Sequence, residues 1–420
     1  MARSVLLSVL ATFLLILCAD LSGQQPNDRP EPYVAPLLPG EQAWIITLPA
    51  TPAAAGAMDA EHVYVPLQNV ATMVEGERVV KAGSATITAV ARETGATRWA
   101  AAIETVIPPV VDDGRLFVAA STGIHALDAA TGKALWSMPL DARVRAPMLI
   151  RGNLLLALIE PDQLLAVRLD TREVAWRAAV GAGQVLMNAD QRAAYVTTPD
   201  GRLLCVMLAD GSLQWQRQLS GTLGPPAVGR DLVLVGSTTD SLWAFDSESG
   251  DQKWVWARRV FGGDVLGADV DDEVIYVVSL DNILRALNRN GNQKWKAELA
   301  TRPVFPPRAF FGTVAVTGLA RSVSTFLATD GMPVAMWAPP PPGDAEMEGP
   351  PLIDEHLKPF SVAMVVIFRD GRVVGIRPAA MTFPEPVAAP LKVAPGRTLP
   401  PERLPGAPLP PPVAPAASTR

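Results

Sequence analysis

The stretch Ala126-Leu127-Asp128-Ala129-Ala130-Thr131-Gly132-Lys133-Ala134-Leu135-Trp136 decides the architecture, because it recurs. Ala89 to Trp99 reads AVARETGATRW, and Ala244 to Trp254 reads AFDSESGDQKW. Ala166 to Trp176, Cys205 to Trp215 and Ala286 to Trp295 are looser copies, and the copy ending at Trp337 is the most degenerate. From Trp99 through Trp136, Trp176, Trp215, Trp254 and Trp295 to Trp337 the steps are 37, 40, 39, 39, 41 and 42 residues. A period near 40 residues is that of one propeller blade.

Each copy has the same physical content. A short apolar strand runs into a polar cluster whose glycine stands four residues before the Trp, as Gly95, Gly132, Gly211, Gly250 and Gly291 do. Glycine takes the positive φ of a tight hairpin turn without a Cβ clash. Arg172 replaces it in the third copy, so that turn is expected to differ. The strand after the turn carries the Trp, which buries a large area and needs a partner for its indole N–H. The repeated Trp is therefore expected to dock one blade on the next. Small residues upstream (Ala89, Ala126, Ala166, Cys205, Ala244) leave room for the ring.

A further strand pair precedes each copy. Arg115-Leu116-Phe117-Val118, Leu154 to Leu158, Ala194-Tyr195-Val196, Leu232 to Val235, Val274 to Val278 and Thr313 to Val316 are β-rich runs followed by turns such as Pro199-Asp200-Gly201. Proline pairs (Pro108-Pro109, Pro225-Pro226, Pro306-Pro307, Pro350-Pro351) open several units, where a missing N–H is tolerated. The unit is thus four strands in about 40 residues. Seven units end in the seven tryptophans, and an eighth, from Pro350 to Ile376, stops without one. Glu41 to Leu48 supplies the missing piece: it carries Trp44 and has no strands of its own before it. The expected fold is all-β, an eight-bladed propeller of four-stranded antiparallel blades, closed by that N-terminal strand, which removes two open sheet edges. Seven blades with an irregular appendage is the alternative.

The organisation that follows is a leader over 1–23, a linker over 24–40, the propeller over 41–377 and a Pro/Ala-rich tail over 378–420. In the leader, Arg3 precedes an apolar run from Val5 to Leu17, of signal-peptide rather than membrane-spanning length. Cleavage after Ala19 would put Leu17 at the −3 position, so a retained anchor stays open. Leu15-Ile16-Leu17-Cys18 resembles a bacterial lipoprotein box, with Leu17 where Gly, Ala or Ser is usual, and Cys18 would be the lipidated residue. The tail cannot bury a core and is read as disordered and partly polyproline II, a solvated tail or envelope spacer, with Pro410-Pro411-Pro412 as a partner motif in the alternative. Gln68 to Ser84 is an insertion between two strands of the first blade.

Composition limits the chemistry. A net charge of −6 with no Lys/Arg run excludes a nucleic-acid-binding face. Cys18 and Cys205 are the two cysteines, so removal of the leader leaves one thiol and no disulfide. Cys205 stands where other copies carry Ala and reads as a buried small residue. His62, His125 and His356 fall in different blades, which leaves neither a zinc set nor a His-based catalytic set. Asp112-Asp113, Asp269 and Asp271-Asp272-Glu273 read as solvated turn carboxylates. No Gly-x-Ser-x-Gly elbow or phosphate loop is present.

The pattern Ala-x-Asp-x-x-Thr-Gly-x-x-x-Trp, best seen at Ala126 to Trp136, resembles the repeat of the PQQ-like (quinoprotein-like) propeller family, over Trp44 to Arg377. The resemblance implies that the Trp strands (Trp44, Trp99, Trp136, Trp176, Trp215, Trp254, Trp295, Trp337) dock adjacent blades. Of the family's branches, the quinoprotein dehydrogenases use vicinal cysteines beside the quinone, and this chain has none. The non-enzymatic branch, with the layout of the propeller component of the outer-membrane assembly machinery, fits. The resemblance implies no catalytic residue, no PQQ or Ca²⁺, and an exported envelope protein that binds envelope proteins as a scaffold. A PQQ-dependent dehydrogenase-like quinoprotein and an envelope ligand-binding module are the alternatives. Binding is expected in loops, with the Gln68–Ser84 insertion as the first candidate contact.

Overall fold

The computed structural model describes residues 40–378 except 69–84, 240, 257–262, 272, 311, 320, 340–344 and 355–360. The leader, Cys18, His356, nearly all of the insertion and the tail, with Pro410-Pro411-Pro412, lie outside the described residues.

Alternation of apolar residues with turn clusters produces eight four-stranded antiparallel sheets, each a blade. Blade 2 shows the pattern: Val110–Asp112 innermost, then Arg115–Ala120, Gly123–Asp128 and the outermost Ala134–Pro139. The middle two strands of a blade are buried on both faces, with Leu116, Phe117, Val118, Ile124, Ala126 and Leu127 all sealed from solvent. They therefore read as near-continuous apolar runs, while the outermost strand alternates. The core is divided accordingly into clusters between successive blades, such as Phe117, Ile124 and Ala126 of blade 2 against Leu155, Leu165 and Val167 of blade 3. Blades 3 to 7 occupy 149–179, 186–218, 227–256, 265–298 and 308–337. Blade 1 occupies 57–101.

Blade 8 is assembled from both ends of the propeller. Its sheet order is Gly40–Thr47, Arg372–Pro378, Met364–Ile367, Leu352–Ile353, so the outermost strand is the N-terminal one. That strand pairs antiparallel from Gly40 opposite Pro378 to Thr47 opposite Arg372. The closed eight-blade reading holds, and the seven-blade alternative does not.

A β-bulge recurs one residue before the Trp position. In blade 3 Ala166 faces Trp176 and Val167 faces Val174, so Ala175 is unpaired. The equivalent shift occurs in every blade. An extra residue in one strand re-aims the side chain that follows it. Here it turns the indole toward the next blade.

Two local expectations are corrected by register and backbone. In blade 7 Thr325 faces Ala335, so Ala335 holds the Trp position, and Trp337 faces Val323 two residues further on. Trp337 still packs in the cluster shared with blade 8, among Met364, Val366, Phe368 and Val374. The Arg172 turn does not differ in backbone: Arg172 adopts φ 63° against φ 70° at Gly132. Its N–H bonds to Arg168 O at 2.8 Å, as that of Gly132 bonds to Asp128 O at 2.8 Å. The turn hydrogen bond holds an arginine in a conformation that costs roughly 1–2 kcal/mol for a residue with a Cβ.

Candidate interaction surface

The Trp positions come first, because they determine how rigid the surface is. Six of the indoles, those of Trp44, Trp99, Trp176, Trp215, Trp254 and Trp295, lie over the turn between the third and outermost strands of the next blade. Trp44 Nε1 donates to Arg92 O at 2.7 Å, Trp99 to Ala129 O at 3.1 Å, and Trp176 to Leu208 O at 2.8 Å. Trp215 donates to Ser247 O at 3.3 Å, Trp254 to Arg289 O at 2.8 Å, and Trp295 to Ala328 O at 3.0 Å. The turn glycine is required at this contact: a Cβ on Gly132 would come within 2.5 Å of the Trp99 ring. Trp136, whose facing turn carries Arg172, is half-buried and rests on Phe117 with ring centroids 5.9 Å apart.

The Asp and Thr of the repeat hold the same turn. Asp128 Oδ1 accepts from the Thr131 N–H at 2.8 Å and the Thr131 hydroxyl at 2.6 Å, bonds that hold the Asp128 carboxyl below its ordinary range. Asp246 does likewise with the N–H groups of Ser249 and Glu248, at 2.9 and 3.0 Å. The Ser249 bond, followed by Lys253, brings the Asp246 carboxyl down to about 2.

A second tie, absent from the sequence reading, uses tyrosine. The Tyr64 hydroxyl lies 2.6 Å from Asp59 Oδ2 and 3.1 Å from Ala129 O of blade 2. In blade 4 the Tyr195 hydroxyl lies 2.8 Å from Asp190 Oδ2 and 3.2 Å from Ser247 O of blade 5. Burial, then the bonded carboxylate, holds both phenols well above their ordinary range. The sequence signal is Asp followed five residues later by Tyr, across the first hairpin.

The blades present two faces. On one lie the turns between first and second strands and the Trp-facing turns. Its cavity of about 730 Å³ beside blades 8, 1 and 2 is lined by Asp59, Asp112, Asp113, Asp354 and Arg92. On the other lie the turns between second and third strands and the crossovers to the next blade. The crossovers are pinned by single bridges, Val144 to Ile159, Leu223 to Ser237, Pro303 to Gly318 and Met347 to Phe368. This second face carries the two most exposed large apolar side chains among the described residues, Val106 at 71% and Leu319 at 64%. Leu319 borders a groove of about 480 Å³ between blades 7 and 8, with Val304, Phe305 and Met347 in its walls and Arg321, Arg369 and Glu346 at its rim. Arg369 bonds Glu346 at 2.7 Å and lies 3.3 Å from Glu348. Leu67 and Thr86, the paired strand ends that flank the insertion, lie at the same face.

The residues that could have carried chemistry are dispersed. Cys205 is sealed opposite Trp215, and burial pushes its thiol up to about 11, which makes it a poor nucleophile. His62 is buried in blade 1, and His125 bonds Thr122 at 2.8 Å in blade 2. Among the described residues no three His, Cys, Asp or Glu side chains are grouped to hold a metal ion.

A rigid ring of repeats with loop-lined faces and dispersed reactive groups matches one family profile, described as outer membrane protein assembly factor BamB (PQQ_2). It matches over residues 83–223, 161–260 and 221–331, more than half of the chain. The chain belongs to that family. BamB of Bordetella pertussis is 25% identical over 249 residues, 57% of this chain and 57% of that protein. BamB of Moranella endobia is 26% identical over 203 residues, 43% of this chain and 51% of that protein. The chain thus spans just over half the length of these two BamB relatives in the matched regions. The crystal structure of BamB from Moraxella catarrhalis superposes with a TM-score of 0.57 at 18% identity, covering 82% of this chain and 99% of that one. The computationally designed Ika8 protein superposes with a TM-score of 0.61 at 12% identity, covering 82% of this chain and 99% of its own. At those identities the two structures speak for the propeller fold that this BamB-family chain shares with them.

Proposed function

We propose that this chain is a non-enzymatic scaffold of the bacterial cell envelope that binds envelope proteins during outer-membrane protein assembly. The BamB-family match across the repeats is the observation that carries this reading. The lack of vicinal cysteines and the dispersal of Cys205, His62 and His125 argue against a PQQ-dependent catalytic site, and a scaffold without PQQ or Ca²⁺ is the reading they support. The eight tryptophan strands serve here to stiffen the ring, so that loops on its surface hold fixed positions. The chain is exported, and it is either periplasmic or held at the envelope by its leader or a lipidated Cys18.

Binding is placed on the face of crossovers and second-to-third-strand turns, because Val106, Leu319 and the blade 7–8 groove put apolar surface there. Loop docking or strand addition is the mode that such a face offers. Crosslinking in the native envelope, followed by identification of the captured proteins, tests the reading. Outer-membrane assembly components are the expected catch, and a catch without them overturns the role. Purified protein given pyrroloquinoline quinone, Ca²⁺ and a panel of alcohols and sugars is expected to reduce no dye. Dye reduction would establish the quinoprotein alternative instead.

A further inference from the structure

The seam between blades 8 and 1 is built unlike the others. Its centre is Arg92, at the start of the Trp-facing turn of blade 1 and only 2% exposed. Three groups around it belong to blade 8. Arg92 Nε donates to Val362 O at 2.6 Å, and Nη2 donates to the Asp354 carboxylate. The Arg92 carbonyl accepts the Trp44 indole N–H at 2.7 Å. Nη1 reaches back within blade 1 to Asp59 O at 3.2 Å, and the Arg92 N–H bonds Glu61 O at 2.8 Å. The next residue completes the grip: the Val362 N–H points at both Glu93 carboxylate oxygens, 3.2 and 3.1 Å away. Two consecutive side chains thus satisfy both backbone polar groups of one buried residue, 269–270 positions away in sequence.

At other seams the equivalent position is a small or aliphatic residue, Ala129, Leu169, Leu208, Ser247 or Ala328, or Arg289, which is paired with Asp231 of blade 5. The ties there are the indole bonds, the tyrosine bridges from blades 1 and 4, and single arginine contacts such as Arg151 to Ala189 O, Arg192 to Ser247 O and Arg289 to Asp231, none of which grips both backbone groups of one residue. A buried guanidinium has to be fully paired, and removing a partner leaves a costly orphan charge. Arg92 has its full set of partners, guanidinium and backbone carbonyl alike, only when two separate events have both happened. The strand Gly40–Thr47 must be inserted, so that Trp44 fixes the Arg92 backbone, and Asp354 and Val362 must each be seated on blade 1.

We propose that Arg92, with Glu93, is the latch of the ring, coupling insertion of the N-terminal strand to docking of blade 8 on blade 1. Neither half is secure without the other, and loss of the latch opens the ring at this seam while the seven remaining interfaces stay closed.

Hydrogen exchange read by mass spectrometry on the full chain tests this. In Arg92→Met the amides of 40–47 and of 361–378 are expected to lose protection about tenfold or more, while those of 193–237 in blades 4 and 5 keep theirs. Arg192→Met, which removes the Arg192 bond to Ser247 O across the blade 4–5 seam, is expected to loosen 193–251 and leave 40–47 unchanged. Should Arg92→Met fail to fold, Arg92→Lys keeps the charge but cannot reach Val362 O and Asp354 together, and it is expected to give the same localised pattern. Trp44→Phe, which removes the indole donor while keeping an aromatic ring in the seam, is expected to expose Val362 as well as its own strand. Loss spread evenly over all blades overturns the latch, and loss at 361–378 with 40–47 unchanged overturns the coupling.

Discussion

Blade 8 meets its two neighbours in opposite ways. Toward blade 1 it offers Trp44, which finds a complete turn with Gly95 beneath the ring and the Arg92 carbonyl at its edge. Toward blade 7 it has no such turn to offer, because its two outer strands come from opposite ends of the propeller and meet as Gly40 and Pro378. Blade 7 in turn holds Ala335, not Trp, at the position that would need it. The indole and the receiving turn work as a pair. Where closure removes the turn, the indole is absent too, and Trp337 fills the interface from two residues further along.

The most severe way to break this comparison is to delete 41–48. Blade 8 then loses its outer strand and the ring has two open edges, so aggregation on expression or a large drop in melting temperature is expected. An unchanged melting temperature would show that Gly40–Thr47 does not close the ring. A milder test sets the two sides of blade 8 against each other. Trp44→Ala is expected to cost about 3–5 kcal/mol in urea unfolding, as for other buried tryptophans. Ala335→Trp, although it restores the repeat, is expected to yield no stabilisation, because no turn is there to receive the ring. A gain from it would mean that the seam accepts an indole without its partner.

Arg172→Gly probes the turn alone. Relief of the positive φ is expected to add about 1 kcal/mol, a rise of a degree or two in melting temperature for a ring of this size. The smallest effect concerns Asp246. Its carboxyl is held at about 2, below the ordinary carboxylate value of 3.8. A carboxylate lowered in the folded state contributes stability above the unfolded value and loses it as pH falls through the folded one. Asp246→Asn should therefore unfold more easily than the parent at neutral pH, with the difference shrinking below about pH 4 and gone near pH 2. A constant difference across that range would mean that the carboxylate charge plays no part in the turn.

Much of the ring was legible before the structure. Trp44 in a strand with no predecessors, and a last unit with no Trp, are complementary defects that name each other. What misled was counting tryptophans instead of turns: the interval from glycine to Trp is four residues in the regular copies and six from Gly331 to Trp337. That difference already pointed to Ala335. Arg172 misled for another reason, since composition shows which residue is favoured at a positive φ and not what a surrounding hydrogen-bonded turn can impose. The Arg92 latch left no mark in the sequence, because its partners Val362 and Asp354 lie 270 and 262 residues away and carry no motif. The apolar groove of blades 7 and 8 was equally hidden, since Leu319 and Phe305 look like ordinary strand-flanking residues until the crossover folds over the turn.

The pairing of Gly40 with Pro378 leaves the propeller's two ends side by side on one rim, where every other blade has a hairpin. A short Asp-x-x-Thr-Gly linker between them would make an endless ring of eight equal blades. Such a ring can be cut afresh in any of the other Trp-facing turns, moving the joint to a different blade while every sheet keeps its four strands. The order in which the blades are read out by the ribosome is then separable from the order in which they stand, and a circularly permuted chain opened at Gly211 would carry its latch in the middle of the sequence instead of at its extremes.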